Sequence, residues 1–240
     1  AAERRADWWL FGGIYRPVYL TAKPRTQIEH IAVDARADGT LHTDVYLKNI
    51  SKGQQLELSL ISCDSQLPIG RQVCGLSTEE KQTLTTHWNN IKTWDPEHPN
   101  LYRLTMRLLS TTGDVVHEIT ERIGFRTIEF RPEDGIYLNG TRLLVKGTNR
   151  HCFDPETGRT ISRELSLKDA LLIKQMNMNA VRSHYPPDTH FLEACDSIGL
   201  LYLNELCGWQ NSYSTEIAEK LLPEMMFRDV NHPCIFIWAN

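Results

Sequence analysis

The hydrophobic rhythm of the chain changes partway along its length. From about residue 23 to 130, apolar residues recur at every second position, in the runs 28–33, 41–47, 56–61, 82–86, 101–108, 115–119 and 125–130. Such alternation predicts strands with one face on a core and the other in water. Turn signals separate the runs, among them Asp38-Gly39, Asn49 to Gly53 and Thr112-Gly113-Asp114. Seven short strands in about 100 residues predict an antiparallel β-sandwich of immunoglobulin-like type, here without the cysteine and tryptophan pin of antibody domains.

Beyond Arg131-Pro132-Glu133-Asp134-Gly135 the pattern is different. Asn139-Gly140 between Ile136-Tyr137-Leu138 and Arg142-Leu143-Leu144-Val145 predicts a tight hairpin. Helical periodicity then alternates with short apolar runs. Ser166-Leu167-Lys168-Asp169 reads as a capping box opening a helix through Met176, and 179–182 as a strand. Asp188 reads as the cap of a helix carrying Phe191, Leu192, Ala194, Cys195 and Ile198, stopped by Gly199 before a strand at 200–203. A helix over 215–229, with Ile217, Leu221 and Met225 on one stripe, leads into the all-apolar strand 235–238.

Repeated β-α units with buried strands predict a parallel sheet, doubly wound or closed into a barrel. A (β/α)8 barrel takes about 250 residues, so the stretch from Ile136 to Asn240 has room for its first half. A half barrel leaves an apolar parallel edge, which further chain or a partner is expected to cover. The opening stretch from Asp7 to Leu20 is aromatic and strand-like around Gly12-Gly13 but too short to fold alone. It is expected to be the tail of a preceding domain.

Composition narrows the function classes. With 240 residues and 41% of them hydrophobic, the chain has enough apolar material for real cores, which excludes disorder. Twenty-six basic against 30 acidic residues give a net charge of -4 without a long single-sign run, so neither nucleic acid nor an anionic membrane is expected as partner. No apolar run approaches the roughly 20 residues of a membrane span. The six cysteines, Cys63, Cys74, Cys152, Cys195, Cys207 and Cys234, include no C-x-x-C pair and are expected to be buried thiols.

Parallel α/β folds place their chemistry at the carboxyl ends of strands. There this sequence offers Asn149, Arg150 and His151; then Arg182, Ser183 and His184; then Asn204 and Glu205; then Asn240. Two histidines, an arginine, amides and a carboxylate suit a polyol, with Trp209 as a sugar platform. Structural readings stand beside these. Arg182 and Glu205 equally fit an ion pair between neighbouring strands, His151 and His184 fit core or loop positions, and Trp209 fits packing. Trp94 and His98 in the sandwich are expected to be structural.

The same residues resemble glycoside hydrolase family 2, the β-galactosidase and β-glucuronidase family. The resemblance rests on an ordered set: Gly12-Gly13-Ile14-Tyr15-Arg16; Trp94-Asp95-Pro96 with Pro99-Asn100-Leu101-Tyr102; Gly124-Phe125-Arg126; Tyr137-Leu138-Asn139-Gly140; and Lys146-Gly147-Thr148-Asn149-Arg150-His151. Asn179 to Pro186 is similar to the first family signature and Asp229 to Trp238 to the start of the second. The resemblance implies residues 1–22 closing a sugar-binding jelly roll, an immunoglobulin-like sandwich at 23–130, and the first four β/α units of a TIM barrel at 131–240. It implies a retaining β-glycosidase acting on terminal β-linked sugars, with His151, Arg182, His184, Glu205 and Trp209 around the substrate.

The family pattern carries one more small residue before its His-Tyr-Pro run than Arg182-Ser183-His184 provides. Leu206-Cys207-Gly208-Trp209 has no counterpart of the metal-ligand cluster of some large β-galactosidases, so no metal or other cofactor is expected. The general acid/base and the nucleophile, both glutamates, are expected beyond Asn240, so the 240 residues alone are expected to be inactive. Oligomeric state and compartment stay open; a homo-oligomer and an exported enzyme both fit the class. Two other readings compete. One is a metal-dependent hydrolase with His151, His184 and Glu205 as ligands. The other is a non-catalytic carbohydrate-binding or scaffold module using Trp8, Trp9 and Trp209.

Overall fold

The computed structural model describes residues 12–208 and 213–239, which form two compact units. One runs from Leu20 to Leu143; the other comprises Leu144–Asn240 together with the segment before Leu20.

The first unit contains β1 (Gln27–Ala35), β2 (Thr40–Lys48), β3 (Gln55–Ser62), β4 (Pro68–Gly75), β5 (Lys81–His87), β6 (Tyr102–Leu109) and β7 (Val115–Ile123). They form two antiparallel sheets, β1-β2-β5 and β4-β3-β6-β7. The alternation in sequence explains the packing. Leu56, Leu58 and Leu60 of β3 stand opposite Leu108, Met106 and Leu104 of β6, and all six are fully buried. Ile28, Ile31, Leu41, Val45, Trp88 and Phe125 complete the same core.

The outward positions carry charge. Glu57 pairs with Arg71 and, at 3.2 Å, with Arg107, which also pairs with Glu118, so one ladder of ions crosses all four strands. No cystine pins this sandwich among the described residues; all six cysteines are free thiols. A tyrosine does part of that work. The Tyr102 ring meets Phe125 edge-on at 5.4 Å, and its hydroxyl accepts from Lys92 N at 2.7 Å, which ties the preceding loop to the core.

Two details differ from the expectation. The seventh strand of the sandwich is not 125–130 but β4, whose Gly70 and Gly75 and exposed side chains hide it from an alternation search. The run at 125–130 instead yields the short β8 (Ile128–Arg131), which joins β9 (Gly135–Leu138) and β10 (Thr141–Leu143) in a three-stranded meander turning at Asn139-Gly140. Asn139 sits at φ 51° and Gly140 at φ 77°, as the hairpin signal requires.

In the second unit β11 (Gly147–Asn149), β12 (Ala180–Arg182), β13 (Leu201–Glu205) and β14 (Ile235–Ala239) form one parallel sheet in sequence order. Helices α1 (Arg163–Gln175), α2 (Thr189–Ile198) and α3 (Thr215–Asp229) connect them. At Gly147 the strands approach so closely that a Cβ would lie 2.9 Å from the Ala180 carbonyl oxygen.

Helix α1 begins at Arg163, three residues before the expected Ser166. The cap is Ser162, whose Oγ accepts from Leu165 N at 3.1 Å, while Ser166 lies buried within the helix. Asp188 does cap α2 by position, and Gly199 ends it at φ 79° with its N–H on the Cys195 carbonyl. On α3 the expected stripe is buried only at Met225; Ile217 is exposed. Phe236, Ile237 and Trp238 of β14 are half-buried rather than enclosed, because β14 pairs with β13 alone.

The expected strand around Gly12-Gly13 makes no ladder among the described residues, and Ile14, Val18, Tyr19 and Leu20 are exposed. A strand needs a neighbour for its backbone groups, and among the described residues none pairs with it. Its anchor is instead Arg16, which pairs with Asp188 at 3.2 Å and donates to the Pro186 carbonyl.

Candidate functional site

The carboxyl ends of β11, β12 and β13 bring His151, Arg182, His184 and Glu205 to one end of the parallel sheet. The His151 and His184 rings stack, with centroids 4.8 Å apart and planes 9° from parallel. Arg182 Nε donates to Glu205 Oε2 at 2.7 Å. Glu205 is buried and Arg182 about one third exposed, so the pair presents its arginine toward solvent. Alternation along the strands puts Asn149, Arg182 and Leu203 in register on adjacent strands. With Gly147 and Ala180 they line a cavity of about 200 Å³.

Other strand-end residues are structural. Arg150 is buried, binds Asp169 at 2.7 Å and lies 4.0 Å over the Phe191 ring. Ser183 donates to the Tyr185 carbonyl at 2.7 Å and also meets the Tyr202 hydroxyl. Asn204 points to the helix side, donating to Asp229 at 2.8 Å. Trp209, Asn240, Trp8 and Trp9 lie outside the described residues.

The electrostatics keep both histidines neutral at pH 7. Burial lowers the His151 pKa, and His184 and Arg159 add to this. Burial likewise lowers that of His184, with Arg182 acting in the same direction and Glu205 against it. Stacked neutral imidazoles can each donate and accept, which matches sugar hydroxyls. Among the described residues no three His, Cys, Asp or Glu side chains gather in a metal-holding group. The stacking of the two rings and the engagement of Glu205 by Arg182 run against the three-ligand metal centre that the sequence left open.

Tyr185, which does not stand at a strand end, also joins the site. Its hydroxyl lies 3.2 Å from His151 Nδ1 and accepts from Cys152 N at 3.0 Å. Burial pushes its pKa up to about 12, so it stays a phenol. Its place beside His184 in the His-Tyr-Pro run was the signal that could have found it.

Four parallel strands joined by three helices, with a polar cluster at the carboxyl strand ends, fit the first half of a TIM barrel. The family model "Glycosyl hydrolases family 2" matches residues 26–126, and "Glycosyl hydrolases family 2, TIM barrel domain" matches residues 129–240. The chain belongs to glycoside hydrolase family 2.

It is 35% identical to a beta-galactosidase of Thermoanaerobacter pseudethanolicus, covering 97% of this chain and 33% of that protein. It is 34% identical to beta-galactosidase BgaC of Bifidobacterium adolescentis, covering 97% and 25%. Among solved structures, Bacteroides uniformis beta-glucuronidase 3 in its apo form superposes with a TM-score of 0.83 at 27% identity, covering 98% of this chain and 31% of that one. The chain thus spans a quarter to a third of the length of these relatives.

Proposed function

We propose that the protein containing this chain is a retaining β-glycosidase that hydrolyses terminal β-linked sugars, of β-galactosidase or β-glucuronidase type. The observation that carries this reading is the juxtaposition of the His151–His184 stack and the Arg182–Glu205 pair at adjacent strand ends. Both named activities come from the relatives, which are called beta-galactosidase and beta-glucuronidase.

Retaining hydrolysis needs two carboxyl groups about 5 to 5.5 Å apart. One attacks the anomeric carbon while the other protonates the departing oxygen; the second then activates the water that releases the sugar. In this reading both carboxyls are glutamates beyond Asn240, and residues 1–240 supply supporting groups. His151 and His184 hydrogen-bond sugar hydroxyls, more tightly as positive charge develops on the ring. Arg182 lies beside the nucleophilic carboxylate and keeps it ionised, and Glu205 holds Arg182 in place. Trp209 forms a platform for the sugar face. The three-part division at 22/23 and 130/131 belongs to the same reading.

The test is hydrolysis of a panel of aryl β-glycosides by the full-length protein, with the first-formed sugar followed by NMR. Cleavage of a β-galactoside or β-glucuronide with the β configuration kept in the initial product is expected. Absence of turnover across the panel, or an inverted product, would overturn the reading.

A further inference from the structure

Three arginines from separate parts of the chain converge on the loop that follows β12, residues 183–188. Arg16 donates to the Pro186 carbonyl and pairs with Asp188 at 3.2 Å. Arg228, at the end of α3, donates to the Pro187 carbonyl at 3.1 Å and is itself held by Asp229. The Arg159 guanidinium carbon lies over two aromatic rings, 4.2 Å from the centroid of Tyr185 and 4.5 Å from that of Tyr15. A guanidinium placed in this way is attracted by both rings and fixes their spacing.

Arg159 is itself held by a rigid turn. Asp154 and Gly158 exchange backbone hydrogen bonds at 2.8 Å, and Asp154 Oδ1 accepts from Glu156 N and Thr157 N at 3.0 Å. Arg159 therefore leaves the turn at a defined point. From it, contact passes through the Tyr185 ring to the Tyr185 hydroxyl, and from there to His151 Nδ1 and Cys152 N.

We propose that Arg159, clamped between Tyr15 and Tyr185, is a positioning residue that sets the register of the His151–His184 stack. The inference deepens the proposed function and rests on that reading of the stack. It assigns the segment before β1 a role at the site: Tyr15 supplies the outer ring of the clamp, and Arg16 braces the same loop.

Arg159 acts on His151 in two ways, and the two are separable. The contact with both rings places Tyr185, and the positive charge disfavours a proton on His151. The titratable and charged groups facing the stack include, among the described residues, Arg159, Tyr185 and Cys152 around His151, and Arg182 and Glu205 around His184.

The test compares Arg159→Ala, Arg159→Lys and Tyr15→Phe with the parent in the full-length protein, reading kcat/KM against pH on the best aryl β-glycoside. A misplacement of about 1 Å at a reacting centre costs on the order of 100-fold, so a loss of about 10- to 100-fold is expected for Arg159→Ala, mostly in kcat. Its acid limb should move to higher pH, because His151 becomes easier to protonate. Arg159→Lys keeps the charge and should return the acid limb to its parental position while recovering only part of kcat. Tyr15→Phe keeps the ring and should stay within about twofold of the parent.

A folded Arg159→Ala protein with unchanged kcat/KM and an unmoved acid limb would overturn the inference. So would an Arg159→Lys profile identical to that of Arg159→Ala. His184→Ala, measured alongside, separates the two failures. If it is inactive while Arg159→Ala is normal, only the positioning role falls. If it retains full activity, the reading of the stack falls and takes the inference with it.

Discussion

The two units bury their residues by different rules. In the sandwich, the period-two alternation sends leucine, isoleucine and methionine inward, and the charges stay on the outer face. Glu57 is the one buried acid there among the described residues, and two arginines flank it. The barrel unit is the shorter in described chain, yet it buries Asp188, Asp196, Glu205 and Asp229, each paired with an arginine or histidine. Buried charge costs desolvation and returns little net stability, but a fully paired group has few alternative positions. The sandwich therefore derives its stability from area. The barrel unit uses paired charges to hold particular atoms at its strand ends.

The largest effect that would sharpen this contrast is expected from Asp196→Ala. Asp196 is fully buried, lies 2.6 Å from His232 Nδ1 and accepts from Cys234 N at 3.1 Å. Removing one partner of a buried pair costs about 3 to 5 kcal/mol, so denaturant titration should show the barrel unit failing first. A cost below about 1 kcal/mol would mean that the pair carries no structural role. In the sandwich, Leu58→Ala should cost about 2 to 5 kcal/mol through lost burial and the cavity left behind.

A smaller effect should come from pH. His151 and His184 have folded pKa values below the ordinary 6.5, so between those values and 6.5 the unfolded chain binds more protons than the native one. Their contribution to stability is therefore complete above pH 6.5 and falls as the pH drops below it. A His151→Phe, His184→Phe double variant should flatten the pH dependence of Tm from 6.5 toward 5; an unchanged slope would deny that the stack resists protonation. The smallest effect belongs to the surface of the sandwich. Glu29→Gln breaks a half-exposed pair with Lys48 and should change stability by about 0 to 1 kcal/mol, measurable by the same titration.

What the sequence made legible follows the same division. The sandwich strands with clean alternation were readable, since one face is apolar and the other polar. Edge strand β4 was not, because it packs too little of its length to need a pattern. Ser166 satisfied the formal spacing of a capping box, but Ser162 holds the cap, and choosing between two serines four residues apart takes tertiary packing. Strand-end logic named His151, Arg182, His184 and Glu205, which pair as a ring stack and an ion pair, without telling which neighbours face the helices. Asn204 and Arg150 turned out to anchor α3 and α1. Arg159 carried no signal at all, because it lies in a turn whose partners, Tyr15 and Tyr185, are distant in sequence and joined only by folding.

The central claim is that the stacked histidines at the strand ends contact the sugar. The most direct measurement is kcat/KM for His184→Ala in the full-length protein, on the aryl β-glycoside that the parent cleaves best, with Tm as the control for folding. Loss of a donor that tightens in the transition state predicts a fall of about 100- to 1,000-fold with Tm nearly unchanged. A folded variant within about twofold of the parent would contradict the account, because a group that touches the reacting sugar cannot be removed at so small a cost.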